Sequence, residues 1–152
     1  NHYIDTPDHL MRKEKMALRV RTFTDQAELT LKVPEAVGHF EYNQDLSPEE
    51  TEAILQHQQF PDGEIKNLLI SKEISVEQLA VWGSLTTERF EKETAAGLVA
   101  LDHSLYLDTE DYELEIEVET AEQEENFHQF IKEHGIVYKA AKNKIARLAE
   151  RL

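Results

Sequence analysis

Apolar and polar residues alternate along much of the chain, and a period of two is typical of β-strands with one buried face. In the segment KMALRVRTF (15–23), Leu18 and Val20 alternate with Arg19 and Arg21. Other segments repeat this alternation or lie between turn residues in the way that strands do. We therefore also predict strands in the segments 1–7, 28–33, 36–44, 84–94, 97–108 and 111–119.

Helix signals separate and follow these strands. In SPEETEAILQHQ (47–58), Ser47 is predicted to cap a helix, with Pro48 at its first position and Glu50 completing a capping box. Further helices are predicted at 62–73, at 139–152 and in the amphipathic segment 121–135, which ends at a glycine. Meandering strands with interspersed helices indicate an antiparallel α+β architecture rather than a parallel βαβ fold.

One predicted strand carries an unusual row of carboxylates. In DYELEIEVE, residues Glu113, Glu115, Glu117 and Glu119 occupy every second position, so on a strand all four share one face. Neighbours would stand roughly 6.6 Å apart and, at an effective dielectric of about 20, repel by about 2–2.5 kcal/mol. Either bulk water or bound cations must offset that repulsion.

Composition narrows the classes of protein that the chain can represent. A length of 152 residues with 40% hydrophobic residues is enough for one compact domain with a core. The absence of cysteine excludes disulfides and thiolate metal sites. A formal net charge of −15 argues against nucleic acid as a partner. The chain shows neither a membrane-spanning apolar run nor a signal-peptide pattern, and we therefore expect no membrane partner and a cytoplasmic location.

The polar faces of the predicted strands carry charges of both signs. On a single strand, such a face is typical of a solvated sheet surface. Its repetition on four strands instead favours a barrel whose interior binds a metal-bound polyphosphate. The residues concerned are Arg19, Arg21, Lys32, Arg89, Glu115 and Glu117.

Seven short motifs in a fixed order resemble the CYTH superfamily, also called triphosphate tunnel metalloenzymes, over essentially the whole chain. They are NHYIDTP, ALRVR, LTLK, ERFEK, LVALD, YELEIE, and KNK with Arg147. The chain is most similar to the small bacterial CYTH proteins of the Firmicutes. The resemblance implies a closed antiparallel eight-stranded β-barrel, or tunnel, with flanking helices. It also implies one domain over 1–152 that lacks its first strand, since the family motif E-x-E-x-K is expected before Asn1.

The resemblance also implies roles for individual residues. Those expected to bind the substrate are Arg19, Arg21, Lys32, Arg89 and Lys144. Those expected to bind the metal are Asp102, Glu115 and Glu117, and those with an expected catalytic role are Lys32, Glu115 and Glu117. Asn143 stands where the family usually has a serine before the lysine, so a hydroxyl role is not carried over.

The function implied is hydrolysis of inorganic triphosphate or another small triphosphate, with Mg²⁺ or Mn²⁺ as cofactor. Two alternatives stay open. One is an adenylyl cyclase of the class IV type, which would require a base pocket, and the other is a non-catalytic module that binds polyphosphate or nucleotides. The expected partner is a triphosphate-containing small molecule, and the oligomeric state is left open, with a dimer among the choices.

Overall fold

The computed structural model describes residues 1–117, 121–139 and 141–152. The chain divides into two compact units, an N-terminal unit (Asn1–Ser84) and a C-terminal unit (Leu85–Leu152). Each unit contains helices and one antiparallel sheet, so the α+β class predicted from the sequence is confirmed. The single domain over 1–152 stays a prediction.

The N-terminal unit is built on a five-stranded antiparallel sheet with the order β4-β3-β2-β1-β5. Its strands are β1 (His2–Asp5), β2 (Ala17–Thr22), β3 (Ala27–Pro34), β4 (His39–Leu46) and β5 (Ala80–Ser84). Its helices are α1 (Leu10–Lys13), α2 (Pro48–His57) and α3 (Glu64–Ser71), and a 3₁₀ turn spans Val76–Gln78.

The core of the N-terminal unit lies on the face that the alternation predicts. Leu18, Val20 and Leu31 are fully buried in a cluster with apolar residues of α2 and α3, and Arg19 and Arg21 project from the opposite face. Burying a residue of this size contributes about 1.5–3 kcal/mol. A shift of one position in the β2–β3 register would place these side chains on the charged face, so the core fixes the register.

The capping residues of α2 act as predicted. Ser47 Oγ accepts a hydrogen bond from the Glu50 amide at 3.0 Å, and the Glu50 carboxylate accepts one from the Ser47 amide at 2.9 Å. The segment 62–73 contains α3 as expected. The sequence analysis did not predict the short helix α1. Its first amides are bonded by a residue before the helix, since the Asp5 carboxylate accepts a hydrogen bond from the Met11 amide.

The C-terminal unit contains a three-stranded antiparallel sheet with the order β6-β7-β8. Its strands are β6 (Thr86–Thr94), β7 (Gly97–Tyr106) and β8 (Thr109–Glu117), and its helices are α4 (Ala121–Glu133) and α5 (Lys144–Glu150). A tight turn at 94–97 joins β6 and β7, where the two strands were predicted to end and begin. Gly97 has φ +117°, and a Cβ there would lie 2.3 Å from the Glu117 carbonyl oxygen, so only glycine fits. Val118 and Glu119, predicted to end β8, lie outside the described residues.

The predicted closed eight-stranded barrel is wrong. Within the described ranges there are eight strands, but they form sheets of five and three, and neither sheet closes on itself. Closure requires every strand to pair on both sides, whereas β4, β5, β6 and β8 each pair with one strand only in this part of the chain. Alternation assigns each side chain to a face, but it does not identify the strand that pairs at each edge. In the part of the chain that the structure describes, no helix is long and apolar enough to cross a membrane.

Candidate functional site

Cross-strand register gathers charged residues on one face of the three-stranded sheet. Arg89 of β6 lies opposite Asp102 of β7, and Asp102 lies opposite Glu113 of β8. Glu115 follows two positions along β8 and therefore shares that face. Directly opposed side chains in an antiparallel pair come within about 5 Å of each other at Cβ, so these four charged groups meet.

Asp102 is the centre of this group and is fully buried. Arg89 donates to both of its oxygens, from Nε at 2.6 Å and from Nη2 at 2.7 Å, and Lys144 Nζ donates at 2.6 Å. Burial alone would raise the pKa of Asp102, but the hydrogen bonds from Arg89 and Lys144 outweigh it and hold that pKa below its usual value. The carboxylate is therefore ionised at neutral pH and held by two cations.

Lys144 brings helix α5 to the same carboxylates. Its Nζ lies 2.6 Å from an oxygen of Asp102, 3.1 Å from one of Glu115 and 3.8 Å from one of Glu113. Burial lowers the pKa of Lys144, but its hydrogen bonds to Asp102 and Glu115 raise it by more. Asn143 lies just before the helix, and its side-chain oxygen accepts a hydrogen bond from the Ala146 amide at 2.9 Å. The residue that replaces the family's serine therefore serves as an N-cap.

Arg147 adds a third cation one helical turn after Lys144. It donates a close hydrogen bond to Glu113, and its Nη1 lies 3.6 Å from Asp111. Asp111 also accepts a hydrogen bond from the Tyr106 hydroxyl. Helix α5 is thus fixed to β8 by two charged residues three positions apart, which face the same side of a helix.

Three carboxylates in this cluster are placed to hold a metal ion. One oxygen each from Asp102, Glu113 and Glu115 lies within 4.8 Å of the other two. Burial raises the pKa of Glu113; burial also acts on Glu115, but hydrogen bonds with Glu113 and Lys144 outweigh it and lower that pKa. An all-oxygen donor set of this kind fits Mg²⁺ or Mn²⁺.

The predicted metal ligands are brought together only in part. Asp102 and Glu115 belong to the cluster, whereas Glu117 is exposed on the same face further along β8 and is not a member. Glu113 belongs to the cluster but was not among the predicted metal ligands. Arg147 binds Glu113 but was not among the predicted site residues. The signal for Glu113 was its parity with Glu115, and the signal for Arg147 was its spacing from Lys144.

The remaining predicted cations lie in the N-terminal unit. Arg19 and Arg21 on β2 and Lys32 on β3 share the sheet face opposite the core. Glu41 lies 3.8 Å from Arg19 and 4.0 Å from Lys32, and Glu28 lies 3.8 Å from Arg21. The Nε of Arg19 is buried without a hydrogen-bond partner within the described ranges. The contacts of Arg19 and Lys32 with Glu41 are longer than ordinary hydrogen bonds.

An α+β chain with antiparallel sheets, a cationic sheet face and a cluster of three carboxylates around the buried Asp102 fits a class of metal- and phosphate-binding domains. The sequence matches the model of the CYTH domain family over residues 1–149. The chain therefore belongs to this family. The membership predicted from the sequence is therefore confirmed. CYTH enzymes depend on divalent metals, and the acidic cluster provides suitable ligands.

Two relatives are similar over nearly the whole chain. A Bacillus subtilis (strain 168) protein named "Putative triphosphatase YjbK" is 38% identical over 151 residues, which cover 99% of this chain and 78% of that protein. A crystal structure of a "putative adenylate cyclase" from Bacillus halodurans has 38% identity and a TM-score of 0.89, covering 97% of this chain and 79% of that one. Both relatives agree with a CYTH protein of the Firmicutes type.

Proposed function

We propose that this chain is a divalent-metal-dependent hydrolase of inorganic triphosphate or another small triphosphate. The observation that carries the proposal is the convergence of Asp102, Glu113 and Glu115, whose oxygens lie within 4.8 Å of one another. Membership of the CYTH family and similarity to a protein named as a triphosphatase support the substrate class.

The carboxylates are proposed to hold Mg²⁺ or Mn²⁺. Asp102, Glu113 and Glu115 would supply the protein ligands, and Glu117, exposed on the same face, would add a further carboxylate. A bound divalent cation would neutralise negative charge on the phosphate oxygens and polarise the phosphoryl group. The protein contributes by fixing the three carboxylates on adjacent strands, where the sheet register sets their spacing.

The cations are proposed to bind phosphate oxygens. Arginine can bind two oxygens at once through its planar guanidinium, whereas lysine acts as a point charge. The ion pairs of Arg19, Arg21 and Lys32 measure 3.8–4.0 Å, and phosphate oxygens are proposed to replace their carboxylate partners. The Lys32 pair is exposed on both sides, and such pairs are worth about 0–1 kcal/mol. The full set proposed to bind substrate is Arg19, Arg21, Lys32, Arg89 and Lys144, with Lys32 also in a catalytic role.

A direct assay tests the hydrolase proposal. Phosphate release from inorganic triphosphate would be measured with Mg²⁺, with Mn²⁺ and with a chelator, and Glu113→Gln would serve as the metal-site variant. We expect release that requires metal and is reduced in the variant. Metal-independent release, or none with any small triphosphate, would contradict the proposal.

The same assay with ATP separates the alternatives. Because one relative is named as an adenylate cyclase, cyclic AMP formation must be measured beside phosphate release. Cyclic AMP formed without phosphate release would identify a cyclase. Metal-dependent binding of triphosphate without turnover would identify a binding module.

A further inference from the structure

The ammonium group of Lys144 lies among the three carboxylates that are proposed to hold the metal. Its Nζ lies 2.6, 3.1 and 3.8 Å from oxygens of Asp102, Glu115 and Glu113, which are the same three residues whose carboxylate oxygens converge within 4.8 Å. We propose that Lys144 is an internal counter-ion that a divalent cation must displace from these carboxylates. This inference rests on the proposed function only in taking the three carboxylates as metal ligands.

A metal would have to displace Lys144 because the carboxylate oxygens already accept hydrogen bonds. Both oxygens of Asp102 accept hydrogen bonds, and Oδ2 accepts one from Lys144 at 2.6 Å. Mg²⁺ binds its oxygen ligands at about 2.0–2.1 Å, so a metal and the ammonium on the same carboxylates would place two positive charges side by side. In a partly buried site, where the effective dielectric is below that of water, such a pair repels. The metal and Lys144 therefore compete for the carboxylates.

Lys144 is better placed to leave than Arg89. Arg89 belongs to β6, lies directly opposite Asp102 in the strand ladder and binds both of its oxygens, so it is held by the sheet. Lys144 is the first residue of the seven-residue helix α5 and reaches the carboxylates through a flexible stem. Metal binding would therefore change the contacts of α5 rather than those within the sheet.

The competition couples metal binding to the position of α5. Lys144 and Arg147 both bind carboxylates of the candidate metal site, and Leu148 is fully buried. If a metal bound the carboxylates, helix α5 would lose the ion pairs of Lys144, and Leu148 would stay buried. The released ammonium is then available to bind phosphate, which agrees with the substrate role proposed for it.

The first test measures Mn²⁺ affinity by calorimetry without any triphosphate. Lys144→Met removes the competing charge, so we expect its Kd for Mn²⁺ to fall about tenfold. Lys142→Met is the matched control, since it removes the same charge two residues away, where Lys142 pairs with the exposed Glu150. Lys144→Arg keeps the charge, and its Kd should stay near that of the wild type. Equal or weaker affinity in Lys144→Met would overturn the inference.

A second test needs no variant that could fail to fold. In the wild type, Mn²⁺ should raise the hydrogen-exchange rate of the α5 amides from Arg147 onward. The first of these amides, that of Arg147, donates to the Asn143 carbonyl oxygen at 3.1 Å. Unchanged exchange at saturating Mn²⁺ would overturn the inference. The two proposals fail separately. Displacement without phosphate release contradicts only the hydrolase proposal, whereas phosphate release with unchanged Mn²⁺ affinity in Lys144→Met contradicts only the competition.

Discussion

The two charged sheet faces of this molecule use the same residue types but pair them at different distances. In the N-terminal unit, the ion pairs of Arg19, Arg21 and Lys32 measure 3.8–4.0 Å. In the C-terminal unit, Arg89 and Lys144 approach Asp102 to 2.6 Å. The carboxylate that each pair of cations shares differs in burial as well, since the Glu41 side chain is 40% exposed and Asp102 is fully buried.

The difference teaches which charges are structural and which are available to a ligand. A long, solvated ion pair contributes about 0–1 kcal/mol and is easily exchanged for another partner. A buried, bidentate pair is held tightly, because removing one partner leaves an uncompensated buried charge. This difference agrees with the proposed roles, in which the N-terminal face binds phosphate and the carboxylates of the C-terminal face bind a cation.

The largest expected effect comes from removing the charge of Asp102. Asp102→Asn leaves Arg89 and Lys144 without their shared carboxylate, and breaking a buried pair in this way costs about 3–5 kcal/mol. Unfolding by urea measures the loss. The control is Asp45→Asn, the same change at an exposed position of β4, which should cost less than about 0.5 kcal/mol. Equal losses in both variants would abolish the contrast between the two faces.

The second prediction concerns the cations of the N-terminal face. Arg21→Ala and Lys32→Ala each remove a proposed charge-assisted contact to phosphate, worth about 1.5–3 kcal/mol, so KM for triphosphate should rise about ten- to hundredfold. Stability to urea should change little in Lys32→Ala, because the ion pair that is lost is long and exposed. Steady-state kinetics provide the measurement. A fall in stability with unchanged KM would mean that these residues are structural, like Asp102.

The third prediction compares two glutamates of the same strand. Glu113 belongs to the carboxylate cluster and Glu117 does not, although both lie on one face of β8. Glu113→Gln should raise the Mn²⁺ concentration for half-maximal activity about tenfold, since it removes a charged oxygen ligand. Glu117→Gln makes the same chemical change and should raise it less. The reverse order would place the metal closer to the end of β8 than the cluster does.

The buried and exposed faces of the strands could be predicted from the sequence, whereas contacts between distant residues could not. The alternation of Leu18 with Arg19 depends on local geometry, and the structure confirms it. The pairing of β1 with β5 joins residues about 80 positions apart, and no local pattern encodes it. The contact of Lys144 with Asp102 spans 42 positions and depends on where α5 lies against the sheet. For the same reason the closed barrel, which depends on edge pairing, was wrong.

The smallest expected effect is at Glu41. Its carboxylate lies 3.8 Å from Arg19 and 4.0 Å from Lys32, so it competes weakly with phosphate for both cations. Glu41→Gln removes that competitor, and KM for triphosphate should fall about two- to threefold, within the range of an exposed ion pair. The gain should shrink at about 0.5 M salt, where such charges are screened. Glu35→Gln, an exposed glutamate in the turn before β4, is the control for net charge and should leave KM nearly unchanged. A rise in KM for Glu41→Gln would mean that Glu41 holds the two cations in position, and the N-terminal face would then resemble the C-terminal one.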